Sequence, residues 1–95
     1  MSKSLHTINT APSDEKSLSL CLKSLSDKDE LLLIEDAVYL ALPAHRHKLP
    51  KAITLHALDV DLDARGVVAD PSISVIDDAE FVNLTQRCDR VISWF

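Results

Sequence analysis

Two thiols, Cys21 and Cys88, are the side chains of this chain best suited to covalent chemistry. A cysteine reacts as its thiolate, and that form needs a helix N-terminus or a neighbouring cation to lower the pKa. Cys21 lies in "EKSLSLCLKSL", where Leu18, Cys21, Leu22 and Leu25 fall at i, i+3, i+4 and i+7. That spacing is the apolar stripe of an amphipathic helix, so Cys21 reads as a buried thiol with a raised pKa. Lys23 is near in sequence but projects from another part of the helix. Cys88 falls in the last turn of a later helix, where the dipole is negative and disfavours a thiolate. The two cysteines are far apart and outside any CxxC, the pattern of free thiols in a reducing compartment.

Other groupings could hold a ligand, and each has a plainer reading. "DVDLD", starting at Asp59, opens like a calcium loop, but the sixth and twelfth places hold Ala64 and Asp70 where such a loop needs Gly and Glu. These aspartates read instead as a helix start on a solvated turn. "HRHKLPK" gathers His45, Arg46, His47, Lys48 and Lys51 in an otherwise acidic chain. Two histidines in a loop are a weak metal signal. The cations could meet an acidic partner or an RNA backbone through Arg46, Lys48 and Lys51, and otherwise form a solvated loop. His6 and His56 sit in apolar segments with no partner visible in the sequence. One glycine in the chain excludes glycine-rich phosphate loops and the glycine-flanked nucleophile elbow. No cofactor and no metal site is expected.

The composition is that of an ordinary globular chain, with 46% hydrophobic and 26% charged residues among 95. That length suits a single domain over residues 1–95 with one thin core. A net charge of −5 argues against a general nucleic-acid binder. No apolar run approaches the length that spans a bilayer, and the N-terminal stretch lacks an apolar signal core, so the expected location is the cytoplasm.

Positioning any of these residues falls to alternating elements. "SLHTIN" (4–9) reads as a strand, and Ser13 or Asp14 as the cap of the helix that carries Cys21. "LLLIEDAVYLAL" (31–42) is too apolar on every side to be one helix in so small a domain. It splits into a buried strand ending near Ile34, a turn at Glu35 and Asp36, and a short helix through "AVYLAL". After a proline-bounded loop at 43–51 come a strand at 52–58, a helical turn at 59–66 capped by Gly66, and a strand at 72–77. A helix then puts Phe81, Leu84, Thr85 and Cys88 on one face, and a last strand spans 90–95. The predicted fold is α/β, a small three-layer domain with a mostly parallel five-stranded sheet. Ligands in such sheets sit at the carboxyl ends of the strands, which nominates residues 10–13, Glu35, Asp36, residues 59–63, Asp77 and Asp78.

Four motifs in order, "SLHTINTAP", "LLLIEDAVY", "DLDARG" and "FVNLT", followed by a Trp near the end, resemble the DsrH/TusB family of sulfur-relay subunits, within the DsrE/DsrF/DsrH-like group. The resemblance covers nearly the whole chain. It implies an accessory subunit, not itself the catalytic one, in a heterohexamer with two sister DsrE/DsrF-like (TusD/TusC-like) chains. That assembly passes a persulfide to a DsrC/TusE-like acceptor. The outcome is 2-thiolation of the tRNA wobble uridine or, in the alternative, dissimilatory sulfur oxidation. No membrane and no direct nucleic-acid contact is implied. Cys21 matches the first-helix cysteine of the DsrH side of the family, which makes it the candidate catalytic, sulfur-carrying thiol of the alternative reading. Two departures stand out. Ala37 occupies the place where the family pattern has Gly, suggesting a turn that needs no positive φ, and Asp77-Asp78 replaces an Asp-Tyr pair.

Overall fold

The computed structural model describes residues 2–95. Five strands form one sheet in the order β4-β3-β2-β1-β5, and every pairing is parallel. They are β1 (Ser4–Ile8), β2 (Glu30–Leu33), β3 (Thr54–Leu58), β4 (Ser74–Ile76) and β5 (Arg90–Trp94). Between them run three α-helices, α1 (Glu15–Ser24), α2 (Asp59–Arg65) and α3 (Asp78–Arg87). The predicted α/β class and alternation hold, and the mostly parallel sheet is parallel throughout.

Two cores flank the sheet, because side chains alternate between its faces. Ile8, Leu31, Leu33, Leu55 and Ala57 point to one face, where α1 contributes Leu18 and Cys21 and α2 contributes Leu62. Leu5, Leu32, Leu58 and Ile76 point to the other, where α3 contributes Leu84 and the chain just after it Cys88. The central strands β1 and β2 are buried on both faces, hence the unbroken apolar run "LLL".

Local chemistry explains the boundaries. Asp14 caps α1 by accepting from the Ser17 N–H, and Asp77 and Glu80 form a reciprocal capping box on α3. Gly66 ends α2 at φ 63°, and a Cβ there would meet nothing within 4 Å, so its advantage is purely conformational.

Residues 35–41 differ from the expected short α-helix and form a 3-10 turn, followed by a second over Pro43–Lys48 in place of the predicted loop. The run ends at Leu42, which is extended before Pro43 (φ −60°, ψ 142°), as the residue preceding a proline favours. The turn after β2 does use positive φ, at Glu35 (φ 50°) and not at Ala37. β3 and β4 begin two residues later than the patterning predicts; before β4 the Ile73 N–H donates to the Asp70 carbonyl at 2.9 Å in a turn.

Candidate functional site

The carboxyl ends of the strands, nominated by the sequence, form a cross-linked shell. Asn9 after β1 donates to Glu35 Oε2 at 3.1 Å. The Glu35 N–H, turned by the left-handed backbone, donates to Asp61 Oδ2 at 2.7 Å. Arg65 joins the group through Nε to Asp36 Oδ1 at 3.0 Å and Nη1 to the Asp61 carbonyl at 3.3 Å. Two carboxylates, Asp36 and Asp61, and one guanidinium thus tie α2 to the turn after β2, while the Glu35 carboxylate ties that turn to Asn9. Asp59 and Asp63 remain outside this set, Asp77 is occupied as a helix cap, and Asp78 is exposed. The shell holds no thiol or histidine, and Thr10, just after β1, keeps a buried Oγ1 with no hydrogen-bond partner among the described residues.

Cys21 is fully buried within α1, among Ile8, Leu18 and the neighbouring apolar residues. Burial pushes its thiol up to about 12. Full burial and the raised pKa both disfavour a reactive thiolate there. Cys88 is nearly buried and its thiol is also raised, by burial first and then by the carboxylate of Glu30, against Arg87 and Lys3. Its Sγ lies 3.9 Å from Glu30 Oε2.

The basic segment is less free than its sequence suggests. Arg46 Nε donates to Ser72 Oγ at 2.7 Å, and Nη1 donates to the Leu49 carbonyl at 3.1 Å, so this cation pins the second 3-10 turn. Among the described residues no three His, Cys, Asp or Glu side chains come together as a metal site. The aspartate run from Asp59 opens α2, with Asp59 and Asp61 in its first turn.

Sequence reasoning missed the other end of the sheet and left His6 and His56 without partners. Both have them. His6 Nε2 meets Asp29 Oδ2 at 2.8 Å, and Trp94 Nε1 donates to His6 Nδ1 at 3.0 Å with the rings stacked. Burial alone would raise the Asp29 carboxyl. The N–H groups of Ser4 (3.0 Å) and Ser26 (3.1 Å), together with His6, more than offset that and hold it at about 2.

On the opposite face, Glu30 Oε1 accepts from His56 Nε2 at 2.7 Å and from Arg87 Nη2 at 3.0 Å, while Lys3 Nζ lies 3.3 Å from Oε2. Burial opposes ionisation of Glu30, but hydrogen bonds from His56 and Lys3 and the charge of Arg87 prevail and lower its pKa. The available signal was the pair Asp29-Glu30 at the head of a strand buried on both faces. Buried carboxylates demand partners, and a histidine in each neighbouring strand supplies one.

With fold and site in view, comparison with known proteins is direct. The family described as DsrH like protein matches residues 10–91. The chain belongs to this family. The DsrH-like assignment agrees with the order of the four sequence motifs. Proteins named TusB are similar over nearly their full length. That of Escherichia coli K12 is 38% identical, and that of Erwinia tasmaniensis 37%, each alignment covering 95% of this chain and 99% of the relative. Among solved structures, the ychN protein from E. coli superposes with a TM-score of 0.76 over 98% of this chain and 99% of that one, at 20% identity. That likeness shows the shared fold of the DsrH-like chain. No helix among the described residues is long and apolar enough to cross a membrane.

Proposed function

We propose that this DsrH-like chain is an accessory subunit of a cytoplasmic sulfur relay serving 2-thiolation of the tRNA wobble uridine. Its role is to complete an assembly with two sister chains of the same fold, one of which carries the persulfide to a downstream acceptor. The observation that carries this reading is the pairing of near full-length similarity to TusB proteins with a Cys21 thiol that is buried and raised to about 12. A chain with relay relatives and no accessible low-pKa thiol fits support of a carrier better than the role of carrier. Apolar surface left uncovered at Leu20, Val82, Val91 and Phe95, the last 73% exposed, suits subunit contact.

The test is native mass spectrometry of the chain alone and co-expressed with the two sister subunits. A species containing all three chains is the expected result. A chain that stays alone and binds neither sister overturns the accessory role.

The second reading makes Cys21 the sulfur-carrying thiol of a dissimilatory oxidation system, and its place on the first helix favours it. Cyanolysis of protein loaded from polysulfide, which transfers a sulfane sulfur to a thiolate and leaves as the shorter polysulfide, separates the two. Cys21→Ser loses releasable sulfur if the thiol carries it and retains the wild-type background if it does not.

A further inference from the structure

A trough of about 460 Å³ runs beside α1, where Lys48 of the second 3-10 turn lines it together with residues of the helix. Its apolar part comes from Pro12, Leu18 and Leu22. Leu18 is buried in the core on the α1 face of the sheet, while Pro12 and Leu22 are half-buried, so the trough carries that core out to the surface. Glu15, Leu18, Ser19, Leu22 and Lys23 share one flank of the helix by their three- and four-residue spacing. The exposed Leu20 lies about 160° round the helix from Leu18 and from Leu22, so a subunit seated on Leu20 leaves the trough open.

Three charged side chains line it, Glu15, Lys23 and Lys48. Glu15 in the first turn and Lys23 in the last each meet the opposite dipole charge at their own end of α1. Lys48 has no such answer. It is half-buried and forms no ion pair and no side-chain hydrogen bond among the described residues, whereas its neighbour Arg46 is held by Ser72 and the Leu49 carbonyl. An ammonium partly withdrawn from water beside apolar side chains attracts a carboxylate more strongly than a fully solvated one does. The chain as a whole carries −5, so this basic segment is a local exception that orients an acidic partner.

We propose that this trough docks a short acidic segment of a protein partner, with one or two bulky apolar side chains against Pro12, Leu18 and Leu22 and a carboxylate on Lys48. A membrane surface calls for a broader apolar face than three side chains provide. The test uses the chain by itself, so its outcome is separate from assembly with the sister chains.

Backbone amide spectra of the whole ¹⁵N-labelled chain, titrated with acetyl-Glu-Leu-Phe-Glu-amide to about 5 mM, test the docking. The expected result is saturable shifts at Ser19, Leu22, Lys23 and Lys48. Binding should weaken at least about threefold when both Glu of the peptide become Gln, and disappear when both become Lys. Lys48→Gln alters a surface turn and is expected to keep the native spectrum elsewhere, but to bind the Glu and Gln peptides equally. Ser19→Trp, which fills the trough from an exposed position on α1, is expected to abolish binding of both. Equal binding of the three peptides, no saturable shift at these residues, or an undiminished preference for Glu in Lys48→Gln would overturn the proposal. Shifts at the same residues with phosphatidylglycerol vesicles and none with the peptides would overturn it as well, by assigning the trough to a membrane.

Discussion

Nε2 of His56 lies 2.7 Å from Oε1 of Glu30, joining the first residue of β2 to the middle of β3 beneath α3. Glu30 is 3% exposed and also receives Lys3 and Arg87, so four chain segments meet on one buried carboxylate. Replacing Glu30 by Ala leaves the buried imidazole of His56 without its partner, while the accessible Lys3 and Arg87 turn to solvent. The expected loss is about 2–3 kcal/mol of unfolding free energy. Arg87→Ala, which removes an exposed partner, should cost only about 0.5–1.5 kcal/mol. Urea unfolding of the two variants checks the contrast, and equal losses would show that Glu30 is not the hub.

Asp29 sets an acid limit on stability. Its carboxyl sits at about 2, below an ordinary value of 3.8, so between these values the unfolded chain binds more protons than the folded one. The stabilisation is fully present above about pH 4 and disappears as the pH falls through about 2. Its size is on the order of 1–2 kcal/mol. Glu30 adds in the same direction, because its pKa is also lowered. Unfolding midpoints measured from pH 5 down to pH 2.5 should fall steeply in the native protein and less steeply in Asp29→Asn. An unchanged slope in the variant would remove Asp29 from this account.

Cys21 should resist modification while the chain is folded. With full burial and a thiol raised to about 12, alkylation at pH 7.5 is expected to be at least about a thousandfold slower in native protein than in urea. Mass-spectrometric labelling resolves Cys21 from Cys88. Rapid labelling of Cys21 in the native chain would mean that α1 opens readily, and would strengthen its claim as a sulfur carrier.

Glu35 carries the single positive φ outside glycine among the described residues. A β-branched side chain tolerates that conformation poorly, so Glu35→Val should destabilise by about 1–2 kcal/mol. Glu35→Gly should stay within about 1 kcal/mol of the native chain, since relief of strain offsets the lost bond from Asn9 and the added freedom of the unfolded chain. Thermal or urea unfolding distinguishes them, and a Val variant as stable as Gly would place the strain elsewhere.

The alternation of the elements was legible in the sequence by itself. Apolar runs too short to be helices, the stripe through Leu18, Cys21 and Leu25, the acids that start α2 and α3, and Gly66 are local signals, and local physics reads them. The burial of Cys21 followed from the same stripe. Tertiary structure alone decided the rest. The positive φ belongs to Glu35 because Asp61, far along the chain, receives its N–H. Arg46 left the solvated loop because Ser72 stands within reach. His6 and His56 gained Asp29 and Glu30 only when parallel pairing set β1, β2 and β3 side by side, since the register of a sheet determines which buried charges meet and leaves no periodic mark on any one strand.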